Sequence, residues 1–390
     1  MRDPALPQLP AEELARRLDV GEPVQVLDIR APEKVARGRV QFGRALDFRA
    51  VPAGEIYRLP SLEPLALDPQ RPVAVICGHG NSSKQATVFL RQRGLEAYSV
   101  AGGMAAWETV YVARRLSPTP SLEHVVQVDR VGKGALSYVL ASQGEAVVVD
   151  PGRHLDRYDA LLAELGARAV AVLDTHLHAD YLSGAGAAAA RWKVPYRLHP
   201  DDARSPYDDT PGRLHYQPLG DGDQIAFGRA TLQVEHLPGH TLGSVALIAD
   251  DGAGLALTGD FLFVQSVGRP DLGGQAAAWA RLLWQSLERA RRSWPGELLV
   301  LPAHYAGERE RRADRSVAAR FDVIAATNEA AAIQDERAFL AWVAGQTVAP
   351  PETYRTIKLV NLGLATLSEA DAEIVEFGPN QCAVPGGGTL

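Results

Sequence analysis

The protein has 390 residues, of which 46% are hydrophobic and 22% charged, a composition typical of folded globular proteins. At roughly 150 residues per domain, this length predicts two or three domains. The net charge of −7 and the lack of a basic run argue against nucleic acid as a partner. No apolar segment approaches the ~20 residues that would cross a bilayer, and two distant cysteines favour a reducing compartment. The sequence therefore predicts a cytoplasmic protein with no membrane partner.

The segment from 22 to 107 alternates strand and helix patterns. The apolar runs VQVLDI, which ends at Ile29, and VAVI, which leads to Cys77, predict strands. The run KQATVFLRQRG predicts a helix that Gly94 closes. Strands that alternate with helices over this length are typical of an α/β domain with a parallel sheet flanked by helices.

Cys77 stands in the loop CGHGNSS, between one of these strands and the next helix. The N–H groups and dipole at a helix N-terminus favour an anion, and such a position lowers the pKa of a thiol. Gly78 and Gly80 allow the loop to turn its amides inward. The loop therefore indicates a nucleophilic cysteine, although an isolated cysteine is more often an inert core residue.

Three segments of this domain resemble the rhodanese family: LDIR at 27–30, CGHGNSS at 77–83 and AGGMAAW at 101–107. In that family the loop usually reads C-x-x-G-x-R-S, and its cysteine accepts a sulfane sulfur as a persulfide. Cys77, Gly80 and Ser83 match this pattern, whereas Ser82 replaces the usual arginine. The resemblance covers about 8–115 and implies sulfur transfer at Cys77, with weak turnover or an uncharged sulfur donor.

The segment RRLSPTPSLE, rich in Ser, Thr and Pro, interrupts every periodic pattern. We therefore predict a first domain over 8–115, a linker over 116–122 and a second domain over 123–385. In the second domain, strand patterns such as HVVQV, ALSYVL and LALTGD predict two sheets. Helices are predicted at 156–165 and 275–292, and the apolar run TIKLVNLGL predicts a late strand.

Four segments at predicted strand ends carry residue types that bind metals. They are THLHADY with His176, His178 and Asp180, PGHTLGS with His240, LTGD with Asp260, and LPAH with His304. Side chains at the ends of neighbouring strands converge, and histidine and aspartate are common ligands of transition metals. The sequence therefore predicts a metal centre. The histidines that lack such company are interpreted as structural: His124, His154, His199, His215 and His236.

These segments resemble the metallo-β-lactamase superfamily, from about 121 to at least 345. The resemblance implies an αββα sandwich with metal ligands at the loop ends of two sheets. The usual first motif is H-x-H-x-D-H, in which the last Asp-His pair serves a second metal. Tyr181 replaces the last histidine here, and a phenol of pKa about 10 is a poor ligand at neutral pH. The second site should therefore be lost, with Asp180 and His304 acting from outside the coordination sphere.

Two groups within this superfamily use the motif differently. Glyoxalase II-like thioester hydrolases use two metals to generate hydroxide, whereas persulfide dioxygenases hold one iron through two histidines and an aspartate. The second pattern implies one Fe(II) per chain, bound by His176, His240 and Asp260 with His178 beside them. Zinc is the alternative metal.

The segment SVGRPDLGG at 266–274 resembles the part of the dioxygenases that lines the substrate pocket. The resemblance implies that Arg269 and Asp271 act there, with Arg269 positioning an anionic carrier such as glutathione. Tyr305 lies near a pocket tyrosine of the dioxygenases, although the spacing differs by one residue. Cys382 is interpreted as a packing residue.

The two resemblances together predict an iron-dependent persulfide dioxygenase of sulfur metabolism. It would oxidise a small thiol persulfide, glutathione persulfide first of all, with O2 to thiol and sulfite. Cys77 would add rhodanese (thiosulfate sulfurtransferase) chemistry by exchanging sulfur with thiosulfate or sulfite. A zinc-dependent glyoxalase II-like thioester hydrolase with a rhodanese accessory domain and a non-catalytic sulfur relay or scaffold stay open as alternatives, as does a homodimer.

Overall fold

The computed structural model describes residues 6–249, 252, 254–346 and 349–384; the predicted domain end at 385 lies outside them. The N-terminal strands are β1 (Gln8–Leu9), β2 (Gln25–Asp28), β3 (Asp47–Ala50), β4 (Val73–Ile76) and β5 (Ala97–Val100). The helices are α1 (Ala11–Val20), α2 (Pro32–Arg37), α3 (Ala53–Ile56), α4 (Ser82–Arg91) and α5 (Gly103–Trp107).

The five strands described here form one parallel sheet in the order β1-β5-β4-β2-β3. Every residue of β2 and β4 is buried, as expected for the middle of a sheet covered on both faces. On one side, Leu14 and Leu18 of α1 pack with Phe42 and Trp107. The predicted α/β domain with a parallel sheet flanked by helices is confirmed.

The rest of the described chain contains two mixed sheets. The first has the order β12-β11-β10-β9-β8-β7-β6 and the second the order β13 to β18 in sequence. The strands of the first sheet are β6 (Tyr111–Leu116), β7 (His124–Arg130), β8 (Ala135–Ser142), β9 (Glu145–Val149), β10 (Arg168–Leu173), β11 (Tyr196–Leu198) and β12 (Gln217–Pro218). Those of the second are β13 (Gln224–Phe227), β14 (Ala230–His236), β15 (Val245–Ala249), β16 (Leu255–Gly259), β17 (Leu299–Pro302) and β18 (Ala319–Arg320).

Seven α-helices are described in this part of the chain. They are α6 (Asp156–Leu165), α7 (Ala185–Trp192), α8 (Ala276–Ser293), α9 (Phe321–Thr327), α10 (Glu336–Gly345), α11 (Thr353–Asn361) and α12 (Glu369–Val375). Five of them pack on the outer faces of the sheets, and α11 and α12 pack with each other and with the loop that contains Ala179 and Leu182. The inner faces of the two sheets share one apolar core, with Leu140 and Val147 from the first sheet and Leu232 and Leu257 from the second. Helices α6 and α7 pack on the first sheet, and α8 to α10 pack on the second. The predicted αββα sandwich is confirmed.

Strand β6 joins the two parts of the chain. It pairs antiparallel with β7 along its whole length, so residues 111–115 belong to the first large sheet by hydrogen bonding. Beside this strand, Asp19 of α1 accepts hydrogen bonds from Arg114 and Arg315. The domain limits at 115 and 123 stay predictions.

The prediction of a strand at TIKLVNLGL was wrong, because most of this run lies in helix α11. Its buried residues are Tyr354, Ile357 and Lys358, which recur at the spacing of one helical face rather than alternating. A lysine on the buried face obscured that pattern. Among the described residues, no helix has the length and apolar character needed to span a membrane.

Candidate functional site

Four chain segments meet at one edge of the sandwich. His176 follows β10, His240 lies between β14 and β15, Asp260 follows β16, and His304 follows β17. Strands β16 and β17 are parallel neighbours, so the residues after them lie side by side. All four side chains are buried. The convergence predicted from the strand ends is therefore present.

His176, His240 and Asp260 turn three unpartnered atoms toward one another. Oδ2 of Asp260 lies 3.3 Å from Nε2 of His240 and 3.6 Å from Nε2 of His176. These three atoms are buried, and none has a hydrogen-bond partner among the residues that the structure describes. Burying three such atoms unsatisfied is unfavourable, unless a cation binds between them. Two imidazoles and one carboxylate are a ligand set suited to a transition metal such as iron. The residues present therefore fit a metal ion.

Hydrogen bonds orient both imidazoles of this cluster. Nδ1 of His176 lies 3.0 Å from Oγ1 of Thr175, which itself donates to Asp150 at 2.8 Å. Nδ1 of His240 donates to the carbonyl oxygen of Arg269 at 3.0 Å. Bonds of this kind fix the tautomer and leave Nε2 to a metal. Burial lowers the pKa of both imidazoles, which favours the neutral form that binds metals.

Gly268 allows the loop that carries Arg269 to lie directly against two of the cluster residues. A Cβ atom at this position would lie 1.9 Å from the carbonyl oxygen of Asp260 and 2.7 Å from Nδ1 of His240. Any side chain here would displace the loop and the hydrogen bond to His240. Glycine is therefore required at position 268, because the backbone lies too close to Asp260 and His240 for a side chain.

His304 links Asp260 to Asp180. Its Nδ1 lies 2.7 Å from Oδ1 of Asp260, and its Nε2 lies 3.1 Å from Oδ2 of Asp180. Burial lowers the pKa of His304, but the two carboxylates outweigh it and raise the pKa to about 10. A protonated His304 thus holds Asp260 so that its other oxygen, Oδ2, faces the two imidazoles.

His178 packs its ring against that of His176, with centroids 4.3 Å apart, but its Nε2 is turned to a different set of residues. Its Nε2 lies 3.1 Å from Oδ1 of Asp150, 3.5 Å from Oδ1 of Asp174 and 3.1 Å from the hydroxyl of Tyr181. Although burial lowers the pKa of His178, Asp150 and Asp174 raise it well above its ordinary value. His178 is thereby engaged with carboxylates other than Asp180, and its ligand-type atom groups with those of Asp150 and Asp174, whereas Asp180 groups with His304 and Cys382. The loss of the second metal site stays a prediction.

Cys77 lies in its own buried site, at the end of β4. Its thiol lies 3.3 Å from Oγ of Ser83, and that hydroxyl lies 2.9 Å from Oγ of Ser99. Burial raises the pKa of Cys77, but hydrogen bonds from Ser82, Ser83 and the N–H of His79 outweigh it and lower the pKa to about 7. The thiol therefore ionises more readily near neutral pH than an ordinary cysteine does.

Comparison with known families agrees with this architecture. Residues 130–327, about half of the chain, match the family model described as Metallo-beta-lactamase superfamily. The chain belongs to the metallo-beta-lactamase superfamily. Residues 10–109 match the model of the Rhodanese-like domain, so the N-terminal domain is rhodanese-like.

Proteins named persulfide dioxygenase and hydroxyacylglutathione hydrolase are among those similar to this chain. Persulfide dioxygenase ETHE1 of Homo sapiens is 34% identical over 161 residues, which are 41% of this chain and 59% of that protein. Hydroxyacylglutathione hydrolase of Anaeromyxobacter dehalogenans is 36% identical over 177 residues, 45% of this chain and 63% of that protein. The chain thus spans about three fifths of the length of these curated relatives.

Two solved structures resemble the metallo-beta-lactamase domain. A metallo-beta-lactamase from Staphylococcus aureus superposes with a TM-score of 0.53 at 28% identity, covering 60% of this chain and 71% of that one. ETHE1 from Myxococcus xanthus superposes with a TM-score of 0.51 at 23% identity, covering 65% and 100%. The second likeness shows the shared fold.

The predicted pocket residues of this metallo-beta-lactamase domain differ in what they contact. The guanidinium of Arg269 is paired with both oxygens of Asp271, at 2.7 and 2.6 Å. Arg269 lies beside the cluster of His176, His240 and Asp260, called the metal cluster below, because its carbonyl oxygen accepts the hydrogen bond from His240. Tyr305 donates its hydroxyl to Asp129 at 3.0 Å, and its ring lies under the guanidinium of Arg311. Because Tyr305 is held by these two residues near the rhodanese-like domain, we leave it out of the proposed site.

Sequence reasoning missed residues from the C-terminal segment. Cys382 lies with Asp180 and His304 in a group whose ligand-type atoms are all within 4.8 Å of one another. Tyr354 packs with Cys382, and Lys358 lines a cavity next to the metal cluster. A lysine inside the apolar run TIKLVNLGL is a sequence signal that could have drawn attention to this segment.

His199 and His236, interpreted as structural, form another group with Asp201 whose ligand-type atoms lie within 4.8 Å of one another. Their rings are stacked, with centroids 4.1 Å apart and planes inclined by 12°. Imidazole lone pairs lie in the ring plane, so nearly parallel rings cannot direct them at one ion. The geometry agrees with a structural role.

Proposed function

We propose that this protein is an iron-dependent persulfide dioxygenase. In the reaction, one thiol persulfide, one O2 and one water give one thiol, one sulfite and two protons. The sulfane sulfur is oxidised by four electrons, and O2 is reduced. The observation that carries the proposal is the set of three buried, unpartnered atoms of His176, His240 and Asp260.

The ligand set favours iron over a pair of zinc ions. Two histidines and one carboxylate leave open coordination positions, and a bound Fe(II) would supply binding and activation of O2. Hydrolases with two metals need a second ligand set, whereas His178 is held by Asp150 and Tyr181. The 34% identity to persulfide dioxygenases supports this assignment.

The surrounding residues are assigned to orient the ligands. Thr175 holds the ring of His176, and the carbonyl of Arg269 holds the ring of His240. His304 binds Oδ1 of Asp260 and leaves Oδ2 for the metal. The ion pair of Arg269 with Asp271 would form one wall of the site and keep the Arg269 carbonyl in place.

Cys77 is assigned to sulfur exchange in the rhodanese-like domain. Its thiolate would attack the sulfane sulfur of a persulfide, so that a new S–S bond forms and the old one breaks with release of a thiol. The resulting Cys77 persulfide would pass its sulfur to sulfite, giving thiosulfate and the free thiolate. Sulfite is the product proposed for the metal centre, so the two sites would share an intermediate. The cytoplasmic location and the homodimer stay predictions.

One aerobic assay tests the proposal against its alternatives. Protein loaded with Fe(II) is expected to consume O2 and release sulfite from glutathione persulfide, and His240→Ala is expected to abolish both. Protein loaded with zinc is assayed in parallel for cleavage of a glutathione thioester, because a hydroxyacylglutathione hydrolase is also a relative. Thioester cleavage without O2 uptake would support the hydrolase, and neither activity would support a sulfur relay or scaffold.

A further inference from the structure

Residues 377–384, called the linking segment below, contact both domains. At one end, the ring of Phe377 packs with the core of the rhodanese-like domain, and its centroid lies 5.9 and 6.0 Å from Cζ of Arg30 and Arg37. Gly378 follows with a positive φ of 94°, and a Cβ atom there would lie 2.2 Å from the carbonyl oxygen of Arg37. This end of the segment is therefore seated closely on the rhodanese-like domain.

The other end of the linking segment is bonded to the loop that carries Arg269. The N–H of Arg269 donates to the carbonyl oxygen of Cys382 at 2.8 Å. The N–H of Val384 donates to the carbonyl oxygen of Val267 at 2.9 Å. The carbonyl oxygen of Arg269 in turn accepts the hydrogen bond from Nδ1 of His240. The linking segment therefore holds the residue that orients one ligand of the metal cluster.

Asn380 fixes the middle of the linking segment. Its side-chain amide donates to the carbonyl oxygens of Lys133, Gly134 and Tyr305, at 3.1, 3.2 and 3.3 Å. Its backbone N–H donates to the same carbonyl oxygen of Lys133 at 2.9 Å. Lys133 and Gly134 lie in the turn between β7 and β8, and Tyr305 directly follows His304. Asn380 is thus bound to the part of the chain that flanks the metal cluster.

The linking segment has little freedom to absorb a displacement. One residue, Gln381, separates Asn380 from Cys382, and its N–H donates to the hydroxyl of Tyr354 at 2.7 Å. A chain advances by at most ~3.6 Å per residue, so a shift at Asn380 has only about 7 Å of backbone in which to relax before it reaches Cys382. A displacement of the rhodanese-like domain would therefore reach the loop of Arg269.

We propose that Phe377 and Asn380 are positioning residues of the metal cluster. Through the linking segment, the docked rhodanese-like domain holds the carbonyl of Arg269 against His240 and so keeps Nε2 of that imidazole directed at the metal. The proposal rests on the proposed metal centre but not on the proposed reaction, because it needs only that the cluster binds a metal ion. It gives the rhodanese-like domain a role besides sulfur exchange at Cys77.

Iron affinity is the first test. Phe377→Ala and Asn380→Ala are each expected to weaken Fe(II) binding about fivefold, because the orientation of His240 is then less restricted. Asn380→Asp has nearly the same shape without the N–H groups, so it is expected to bind Fe(II) no better than Asn380→Ala. Unchanged iron affinity in Phe377→Ala and Asn380→Ala overturns the proposal.

Phe48→Ala is the matched control for Phe377→Ala. Phe48 packs in the same core and lies 5.3 Å from the guanidinium of Arg39, but it is outside the linking segment. This variant is expected to lose stability and to keep the iron affinity of wild type. An equal loss of affinity in Phe48→Ala and Phe377→Ala would mean general destabilisation and overturns the proposal.

A spectroscopic signal reports the positioning directly. In zinc-loaded protein, the NMR chemical shift of the Nδ1 proton of His240 depends on its hydrogen bond to the carbonyl oxygen of Arg269. The signal is expected to move in Phe377→Ala and in Asn380→Ala and to stay in place in Phe48→Ala. A signal at the wild-type position in all three variants overturns the proposal.

Wild-type protein provides a test that does not depend on the folding of any variant. By linkage, metal binding must stabilise the docked arrangement as much as docking favours metal binding. Zinc is expected to slow amide hydrogen exchange about fivefold in peptides that cover 377–384 and 36–40, where Gly38 contacts Gly378. A peptide that covers 46–50 should be unaffected. No slowing, or equal slowing in all three peptides, overturns the proposal, whether or not the iron-loaded protein oxidises a persulfide.

Discussion

Tyr181 stacks on His178, with ring centroids 4.4 Å apart and planes inclined by 28°. Its hydroxyl lies 3.1 Å from Nε2 of His178 and donates to the carbonyl oxygen of Asp150 at 3.1 Å. The phenol thus helps to keep His178 on the Asp150 side. The superfamily motif has a histidine at this position, which binds a second metal ion. Tyr181 therefore removes that ligand and also contacts His178 through its hydroxyl.

The first prediction is that Tyr181→His restores a second metal site. The new imidazole would lie in the same loop as Asp180 and would free His178 from the phenol hydroxyl. We expect metal content after zinc loading to rise from about one toward two per chain, measured by elemental analysis. Tyr181→Phe removes the hydroxyl without adding a ligand and should stay near one. An unchanged ratio in Tyr181→His would contradict our account of the missing site.

The second prediction concerns the three-residue cluster. Asp260→Asn should weaken Fe(II) binding by at least tenfold, since the anionic oxygen that faces both imidazoles is lost. His236→Ala is the matched control, because His236 donates to the carbonyl of Leu242 outside the cluster. The measurements are iron content and the rise in melting temperature on adding Fe(II). Equal iron content in both variants would argue against the assigned ligands.

The sequence could bring His176, His240 and Asp260 together because each lies within four residues of the end of a strand. A strand ends where its apolar pattern ends, so His176, His240 and Asp260 could be placed at one edge without any knowledge of the loops. The direction of His178 could not be predicted in the same way. It depends on Asp150, a residue with a positive φ of 54° that projects its carboxylate toward the 174–178 loop.

The cavity was not predictable because it depends on the C-terminal helix. Lys358 lines the cavity beside Leu177 only because TIKLVNLGL folds as a helix, and its apolar residues satisfy a strand pattern equally well. For Tyr305, the position in the chain was predicted but the contact of its side chain was not. Its spacing differs by one residue from the dioxygenase pattern, and its hydroxyl donates to Asp129. Motif spacing located the neighbourhood but not the direction of the side chain.

The third prediction is that Ser82→Arg increases the use of thiosulfate by Cys77. The groups that lower the pKa of Cys77 are neutral hydroxyls and amides, so little in the loop offsets the two negative charges of thiosulfate. A guanidinium at position 82 should raise the rate of persulfide formation from thiosulfate about tenfold. Mass spectrometry of the single-sulfur adduct measures it. Ser82→Gln, similar in length but uncharged, should show no gain; an equal gain there would exclude the charge argument.

The fourth prediction is a pH profile for Cys77. With a pKa of about 7, its alkylation rate by iodoacetamide should rise as the pH increases to 7 and level off above it. Ser83→Ala removes a hydrogen bond that favours the thiolate, so the midpoint should move upward, toward about 8.5. Peptide mass spectrometry separates Cys77 from Cys382, whose pKa burial raises. An identical midpoint in both proteins would exclude Ser83 as the stabilising group.

The last prediction concerns the buried carboxylate of Glu376. It lies 3.1 Å from Arg130 and 2.8 Å from Arg153, and it accepts a hydrogen bond from the N–H of Leu182 in the metal-site loop. Glu376→Gln leaves two arginines without their buried counter-charge, which should lower the free energy of unfolding by about 3–5 kcal/mol. Urea denaturation measures it. Glu369 pairs with the same Arg153 but is exposed, so Glu369→Gln should cost less than about 1 kcal/mol.

The pH dependence of the free energy of unfolding gives a second, independent test of the role of Glu376. Burial raises the pKa of Glu376, but Arg130 and Arg153 outweigh it and lower the pKa to about 2, below the value of about 4.3 expected in the unfolded chain. A carboxyl with a depressed folded pKa stabilises the protein above its unfolded pKa and loses that contribution as the pH falls toward its folded pKa. The difference in stability between wild type and Glu376→Gln should therefore be constant near pH 7 and shrink between about pH 4 and pH 2. A difference that does not change over this range would mean that Glu376 acts through packing rather than charge.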